Sequence, residues 1–147
     1  MWFLYGFALL AGIANTVQSG TNATLSKTLG QPFITGIVVT LVGATTLLVV
    51  GLALGRLALP SAGDIRAVPL WAWTGGMLGA LLILSQLFVA QQIGAAPYLG
   101  LLVTAGVATS ILLDHFGWVG FAQHPMTLWR ALGGLLMVAG IALVALF

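Results

Sequence analysis

The sequence of 147 residues contains no cysteine and no glutamate, and charged residues make up only 4% of it. Without cysteine there can be no disulfide, no thiol nucleophile and no thiolate metal site. Its carboxylates, Asp64 and Asp114, are too few for a proton relay built on buried acidic side chains. The net charge of +2 comes from four cations against two acids, so no basic patch for nucleic acid is predicted.

Apolar residues dominate what remains. They make up 61% of the sequence, and the mean hydropathy is +1.17; a soluble fold with this composition would have almost no polar surface. The length allows several spans of about 20 residues, each able to cross a hydrocarbon core of about 30 Å. We therefore predict an all-α integral membrane protein, one transmembrane domain over residues 1–147, whose surrounding partner is the lipid bilayer.

Apolar segments along the chain predict a bundle of five transmembrane helices. The segment LALPSAGDIRAVP carries prolines and charges and is predicted to be a loop. The later segment HFGWVGFAQHPMT mixes aromatics, glycines and histidines and is predicted to lie along the membrane interface. The polar second half of helix 1 allows an earlier end at the membrane surface. The predicted helices run from Trp2 to Leu25, from Phe33 to Gly55, from Leu70 to Gln91, from Tyr98 to Leu113 and from Leu128 to Phe147.

An odd number of spans puts the two ends of the bundle on opposite sides of the membrane. Arg56, Arg66 and Arg130 then lie on the same side as the N-terminus, and Lys27 lies on the other. Basic residues favour the cytoplasmic side, which places the N-terminus in the cytoplasm. The bias is small, so insertion of the same chain in two opposed orientations, or dual topology, stays open.

Polar side chains are concentrated in helix 1. Asn15, Gln18 and Asn22 recur at i, i+3 and i+7, which predicts one amide face with Ser19 beside it. Helix 3 adds Gln86. Since amides cannot face lipid cheaply, two interpretations stand: the side chains join neighbouring helices by hydrogen bonds, or they line a passage and bind a solute. Both remain open, and these five residues are the candidate substrate-binding set.

The remaining ionisable residues predict no catalysis. Asp114 ends helix 4, where it can couple or gate transport, pair with Arg130 or lie in solvent. His115 and His124 are too few to complete a metal site, so neither a metal nor a cofactor is predicted. The sequence shows no catalytic triad with a plausible buried geometry, no phosphate-binding loop and no dinucleotide fingerprint. We therefore do not expect an enzyme.

Glycines at small-xxx-small spacing predict close helix packing. The densest run is GGMLGA in helix 3, where Gly75 and Gly79 are four residues apart. We expect the tightest helix contact at this run.

Several strings carry a family resemblance: QSGTNATLSKTLGQPF, GGMLGALL, IGAAP and SILLDHFGWVGFAQHPMTLWRALGGLLMVAGI. Over essentially the whole chain, the sequence resembles the YdcZ family of small bacterial inner-membrane proteins, within the drug/metabolite transporter superfamily. The DHFGWVG stretch followed by LWRALGGLL is the most specific part. The family motif corresponds here to Gln18, Gly20, Asn22, Gly75, Gly76, Gly79, Asp114, His115 and Gly117.

The resemblance implies that the five helices are half of a ten-helix, inverted-repeat transporter. The working unit would be an antiparallel homodimer, or a pair with an inverted paralogue, that operates by alternating access. One position departs from the family pattern: Gly106 is followed by Val107 where a glutamine is expected, which puts a contribution of helix 4 to the polar site in doubt.

Together these features predict a secondary transporter in the bacterial inner membrane, a multi-pass protein that exports a small organic solute. The alternative is a nontransporting membrane scaffold in which the amides only hold the helices together.

Overall fold

The computed structural model describes residues 2–146, and every regular element in that range is helical. This confirms the predicted all-α class. No strand occurs between residues 2 and 146. The α-helices are α1 (Trp2–Leu29), α2 (Pro32–Ala53), α3 (Ala62–Ala67), α4 (Thr74–Phe88), α5 (Ala90–Ile93), α6 (Ala95–Phe116) and α7 (Leu128–Leu146), with a 3₁₀ turn at Leu70–Trp73 before α4.

The helices form two compact units, one ending at Gln91 and one beginning at Gln92. In the first unit, α1, α2 and α4 each contact the other two, which makes a three-helix bundle. In the second unit, α6 and α7 pack against each other as a helical hairpin. The prediction of one domain over the whole chain stays a prediction.

Glycine and proline set the turn between α1 and α2. Gly30 has a φ of +64°, and its amide donates to the Ser26 carbonyl at 2.9 Å, which closes the last turn of α1. Pro32 then starts α2, where its missing amide proton costs nothing. Helix α1 therefore ends at Leu29, later than predicted. Its terminal threonines are compatible with helix because the Thr24 and Thr28 hydroxyls donate to carbonyls four residues earlier.

The predicted loop between helices 2 and 3 contains the short helix α3. Ser61 caps it: the Ser61 hydroxyl accepts from the Asp64 amide at 3.2 Å, and the Asp64 carboxylate accepts from the Ser61 amide at 2.9 Å. The hydrogen bond from the Ser61 hydroxyl, and then that from its amide, lower the pKa of Asp64 below its usual value. The sequence signal for this reciprocal cap is a serine three residues before an acid.

The third predicted helix is interrupted near its end. It consists of the 3₁₀ turn, α4 and α5, with an irregular residue at Val89 between α4 and α5. Gly94, with a φ of +92°, then separates α5 from α6. The fourth helix runs from Ala95 to Phe116 and is therefore longer than the predicted Tyr98 to Leu113. The predicted end of helix 5, Phe147, lies outside the described residues.

Within residues 2–146, four segments are long and apolar enough to cross a membrane, so the count of five spans is not confirmed. Helix α1 has 28 residues but is absent from this set because its polar second half lowers its hydropathy. The chain is nevertheless an integral membrane protein, since each of the four segments exposes most of its apolar surface. They are Pro32–Ala53, Leu70–Ile93, Ala95–Phe116 and Leu128–Leu146.

The closest helix contact made by a glycine lies in the second unit, whereas the GGMLGA run was expected to make it. A Cβ built at Gly75 or Gly79 meets no atom within 4 Å, so these two glycines make no close helix contact in the described residues. At Gly100 on α6, by contrast, a Cβ would overlap the side chain of Ile141 on α7, with Cγ1 only 2.6 Å away. The absent side chain at Gly100 therefore allows α6 and α7 to approach.

Replacing Gly100 with alanine should destabilise the hairpin, because the whole Ile141 side chain must shift. We expect a cost of about 1–3 kcal/mol, typical of overpacking, measured by thermal unfolding in detergent. Gly106→Ala is the matched control on the same helix, since its Cβ meets nothing within 4 Å. The double variant G100A/I141A should recover part of the loss; equal melting of the two glycine variants would contradict this packing.

Candidate functional site

The interior of the first unit is polar. Its buried apolar side chains are Leu87 and Ala90 among the described residues, whereas large aliphatic and aromatic side chains cover the outside. This arrangement inverts that of a soluble protein and suits a helix bundle surrounded by lipid. Five polar side chains are buried inside the unit: Ser19, Asn22, Ser26, Thr35 and Gln86.

A hydrogen bond between two amides joins α1 to α4 in this interior. The Asn22 Nδ2 donates to Gln86 Oε1 at 2.8 Å, and the two residues are only 5% and 4% exposed. Thr35 on α2 is fully buried, and its hydroxyl donates to the Gln31 carbonyl at 3.0 Å. In the described part of the chain, no buried side-chain nitrogen or oxygen lacks a hydrogen-bond partner. The Asn22, Gln86 and Thr35 side chains therefore find hydrogen-bond partners within the unit.

The amides of helix 1 do not all take the same position. Asn22 and Ser19 are buried, Asn15 is half-buried, and Gln18 is exposed. Residues 15, 19, 22 and 26 follow the heptad-like spacing of one narrow face, whereas Gln18 lies about 60° around the helix from Asn15, at 3.6 residues per turn. The structure therefore brings Ser19, Asn22 and Gln86 into one polar core and leaves Gln18 on the outer surface of the unit.

Most hydroxyls on the exposed part of α1 are already paired with their own helix. Thr16, Thr21 and Thr24 donate to carbonyls three or four residues earlier, at 3.0 to 3.1 Å. Such bonds hide the hydroxyl proton from lipid and need no neighbouring helix. The amides of Gln18 and Asn15, in contrast, have no hydrogen bond among the described residues, and Gln18 is the more exposed of the two.

An open apolar groove lies between α2 and α4 in the same unit. Its volume is about 320 Å³, and its walls include Phe33 and Gly36 from α2 with Ile83 and Leu84 from α4. A Cβ at Gly36 would touch Ile83 at 3.7 Å, and Phe33 meets Phe88 edge-on with ring centroids 6.1 Å apart. The sequence did not predict this groove, because residues facing it are ordinary apolar residues of two separate spans.

A second polar cluster closes the end of the α6–α7 hairpin. Asp114 Oδ2 and Arg130 Nη1 are 3.6 Å apart, so the pairing that the sequence left open beside solvation and gating is present. The Asp114 carbonyl accepts from the His124 amide at 2.7 Å, and His115 Nδ1 accepts from the Met126 amide at 3.0 Å. The histidines thus fix the connecting segment, residues 117–127 between α6 and α7. They form no metal cluster with other described residues. Both histidines lie in the DHFGWVGFAQHP stretch that carries the family resemblance. No other feature of the sequence indicated that they would hold this segment.

Helix polarity opposes both charges of this pair. Asp114 lies in the last turn of α6, where the carbonyl ends of the helix disfavour an acid. Arg130 lies in the first turn of α7, where the amide ends disfavour a cation. Neither charge is therefore placed where it would stabilise its own helix, so their position calls for another explanation.

Comparison with known proteins identifies the family. A family model described as "Putative inner membrane exporter, YdcZ" matches residues 3–143. The chain belongs to the YdcZ family. The match confirms the resemblance drawn from the motif strings and extends through the polar core of the first unit and the charged end of the second.

YdcZ membership, together with the apolar helices, makes the chain a multi-pass protein of the inner membrane. It supports a membrane transporter of the export type and is consistent with a protein that is not an enzyme. No curated protein and no solved structure matches the chain. The roles of the candidate site residues in this YdcZ member are therefore inferred from the contacts within the chain.

The amide pair should contribute measurably to stability. In a double-mutant cycle with Asn22→Leu and Gln86→Leu, we expect a coupling energy of about 0.6 to 1.7 kcal/mol, the range for interhelical hydrogen bonds in membranes. Unfolding by a denaturing detergent supplies the free energies. The matched cycle pairs Gln18→Leu with Gln86→Leu and should give coupling near zero; similar coupling in both cycles would refute a specific Asn22–Gln86 bond.

Proposed function

We propose that the chain is a secondary transporter that exports a small organic solute by alternating access across an antiparallel dimer. The observation that carries the proposal is the buried Asn22–Gln86 amide pair beside an amide, Gln18, that the chain leaves exposed. Buried polar side chains in membrane proteins commonly mark a solute pathway. The proposed substrate-binding residues are Asn15, Gln18, Ser19, Asn22 and Gln86.

The proposal treats α1 as a fifth transmembrane span. With 28 residues and a rise of 1.5 Å per residue, α1 is about 42 Å long, which exceeds a hydrocarbon core of about 30 Å. Gln18 is eleven residues from its end at Leu29, so it would lie well inside the bilayer. An amide at that depth is costly in contact with lipid, and water or a partner chain must cover it.

A second chain would complete the site. An inverted copy, or an inverted paralogue, would provide five more helices and the symmetry on which alternating access relies. The exposed face of α1 around Gln18 is then turned toward the dimer axis. Each chain supplies an Asn22–Gln86 pair, so the complete passage has two equivalent amide pairs, one on each side of the midplane.

Neutral amides suit exchange of hydrogen bonds with a solute. Each amide offers both donors and acceptors, so a solute that inserts between Asn22 and Gln86 replaces one bond by two of similar strength. No charge has to be desolvated in this step. The apolar groove between α2 and α4 is large enough to receive an aliphatic or aromatic part of the solute.

Asp114 is proposed as a local coupling or gating residue. In an antiparallel pair, the two Asp114 side chains lie at opposite membrane faces and cannot share a proton. Each carboxylate would act with the Arg130 of its own hairpin, 3.6 Å away, as a local gate at one membrane face.

A nontransporting scaffold is the second candidate. The 2.8 Å bond between Asn22 and Gln86 favours it, since the bond alone explains why both amides are buried. The exposure of Gln18 and the partial exposure of Asn15 favour transport, because a scaffold gains nothing from uncovered amides in lipid. The two candidates therefore differ in whether water reaches α1.

Water access can be tested in this cysteine-free chain. Gln18→Cys should react with a membrane-impermeant maleimide in vesicles, whereas the neighbouring Val17→Cys, 60% exposed in the chain, should face lipid and react much more slowly. Labelling is measured by the mass added to the intact chain. A scaffold predicts that positions 15, 18 and 22 are all protected, and that result would reject the passage.

Export can be tested by an untargeted comparison of secreted solutes. Culture media of cells that express the chain are compared by mass spectrometry with media of cells that lack it, and solutes enriched outside are scored. Gln86→Leu should reduce the enrichment about tenfold, as expected for a lost hydrogen bond of about 1.4 kcal/mol. Gln91→Leu, at an exposed position, is the control. Absence of any enriched solute would contradict export, and unchanged enrichment in Gln86→Leu would contradict the site.

A further inference from the structure

An open cleft in the second unit lies beside the Asp114–Arg130 pair. It has a volume of about 510 Å³, and α6 and α7 form its two walls. The two charged side chains line one end of the cleft. Further along the helices its lining becomes small and apolar, with Gly133, Gly134 and Met137 from α7. The cleft therefore runs from a charged end at the helix termini to an apolar part inside the membrane-spanning segments.

Both charges at this cleft have hydrogen-bonding capacity to spare. Their separation of 3.6 Å exceeds a hydrogen bond, and the described residues donate no hydrogen bond to the Asp114 carboxylate. Arg130 uses its Nη1 to donate to the His124 carbonyl at 3.3 Å and has further N–H groups free of described partners. The side chains are 30% and 40% exposed, so a ligand can reach both.

The Asp114 carboxylate is not needed to hold the connecting segment in place. That segment is fixed by main-chain and histidine contacts: His124 to the Asp114 carbonyl at 2.7 Å, Met126 to His115 Nδ1 at 3.0 Å, and Gln123 Nε2 to the His115 carbonyl at 3.1 Å. Helix polarity also opposes both charges. The cleft thus has an anion and a cation at its mouth, and the carboxylate is not used to hold the connecting segment, so the pair is suited to a ligand of both charges.

We propose that this cleft binds a zwitterion with a primary ammonium close to an anionic group, and specifically the headgroup of a phosphatidylethanolamine lipid. The ammonium donates to the Asp114 carboxylate, and the phosphate accepts from the guanidinium of Arg130, the geometry in which arginine binds phosphate well. One acyl chain lies along the glycine-lined part of the cleft, where no side chain obstructs it. The proposal does not depend on transport.

Native mass spectrometry of the purified full chain in detergent measures this binding. The chain is titrated with phosphatidylethanolamine and with phosphatidylcholine of the same acyl chains, which keeps both charges but replaces the ammonium protons with methyl groups. We expect about tenfold tighter binding of the ethanolamine lipid, because charge-assisted hydrogen bonds to Asp114 are lost in the other. Equal binding of the two lipids by the unaltered chain would overturn the proposal.

Variants locate the binding. Asp114→Asn should remove most of the preference for phosphatidylethanolamine, while R66Q, which alters an arginine of the α3 segment, should leave it unchanged. Gly133→Leu should fill the apolar part of the cleft and leave the ion pair intact. The backbone has room for the new side chain, because a Cβ at Gly133 meets no atom within 4 Å. Gly106→Leu adds the same bulk at another open position outside the cleft. A preference that survives both Asp114→Asn and Gly133→Leu would place the lipid elsewhere and refute the assignment.

A soluble competitor distinguishes a lipid from a free zwitterionic solute as the ligand of the cleft. Glycerophosphoethanolamine carries the same headgroup without acyl chains. If the apolar part of the cleft contributes, a large excess of it leaves the lipid bound. Displacement at concentrations similar to that of the lipid would instead assign the cleft to a free zwitterionic solute and overturn the assignment to a lipid. Because binding is measured without flux, either outcome is independent of whether the chain exports a solute.

Discussion

The bilayer offers no water to buried polar groups, and the hydrogen bond between Asn22 and Gln86 is the response of the first unit to this constraint. Helices in lipid gain little from burying apolar side chains against each other, so polar contacts and close packing determine which surfaces meet. The Asn22–Gln86 bond fixes the rotation of α1 relative to α4. With that rotation set, Ser19 and Ser26 fall in the interior and Gln18 falls outside.

The sequence predicted the helices well because composition and apolar run length determine them almost alone. Leu128 was predicted correctly as the first residue of the last helix, since the segment before it contains glycine, histidine and proline. The end of α1 was predicted too early, because serine and threonine read as surface residues although their hydroxyls can bond within a helix. The number of membrane spans depends on the same polar half of α1. The length of α1 is sufficient for a span, whereas its hydropathy is too low to count as one.

Contacts between helices were much less predictable. Spacing placed Asn15, Gln18 and Asn22 on one broad face. Which edge of that face is buried depends on the neighbouring helix, and nothing in helix 1 identifies Gln86 as the residue that Asn22 contacts. The glycines show the same limit. Gly75 and Gly79 have the spacing of a contact, but a Cβ on either would meet no atom within 4 Å, whereas Gly100, which was not singled out from the sequence, contacts Ile141.

Polarity is distributed differently in the two units, and the difference has a physical basis. Neutral amides occupy the interior of the first unit, where burying a charge would cost far more than burying an amide. The ion pair is instead at the end of the α6–α7 hairpin, where side chains retain exposure. If solutes pass along these amides, the chain must discriminate between them by matched hydrogen bonds rather than by net charge. A solute that forms no hydrogen bond to a buried amide leaves that amide unpaired, and this costs binding free energy. The exposed Gln18 then belongs to a recognition surface that one chain begins and an inverted second chain completes.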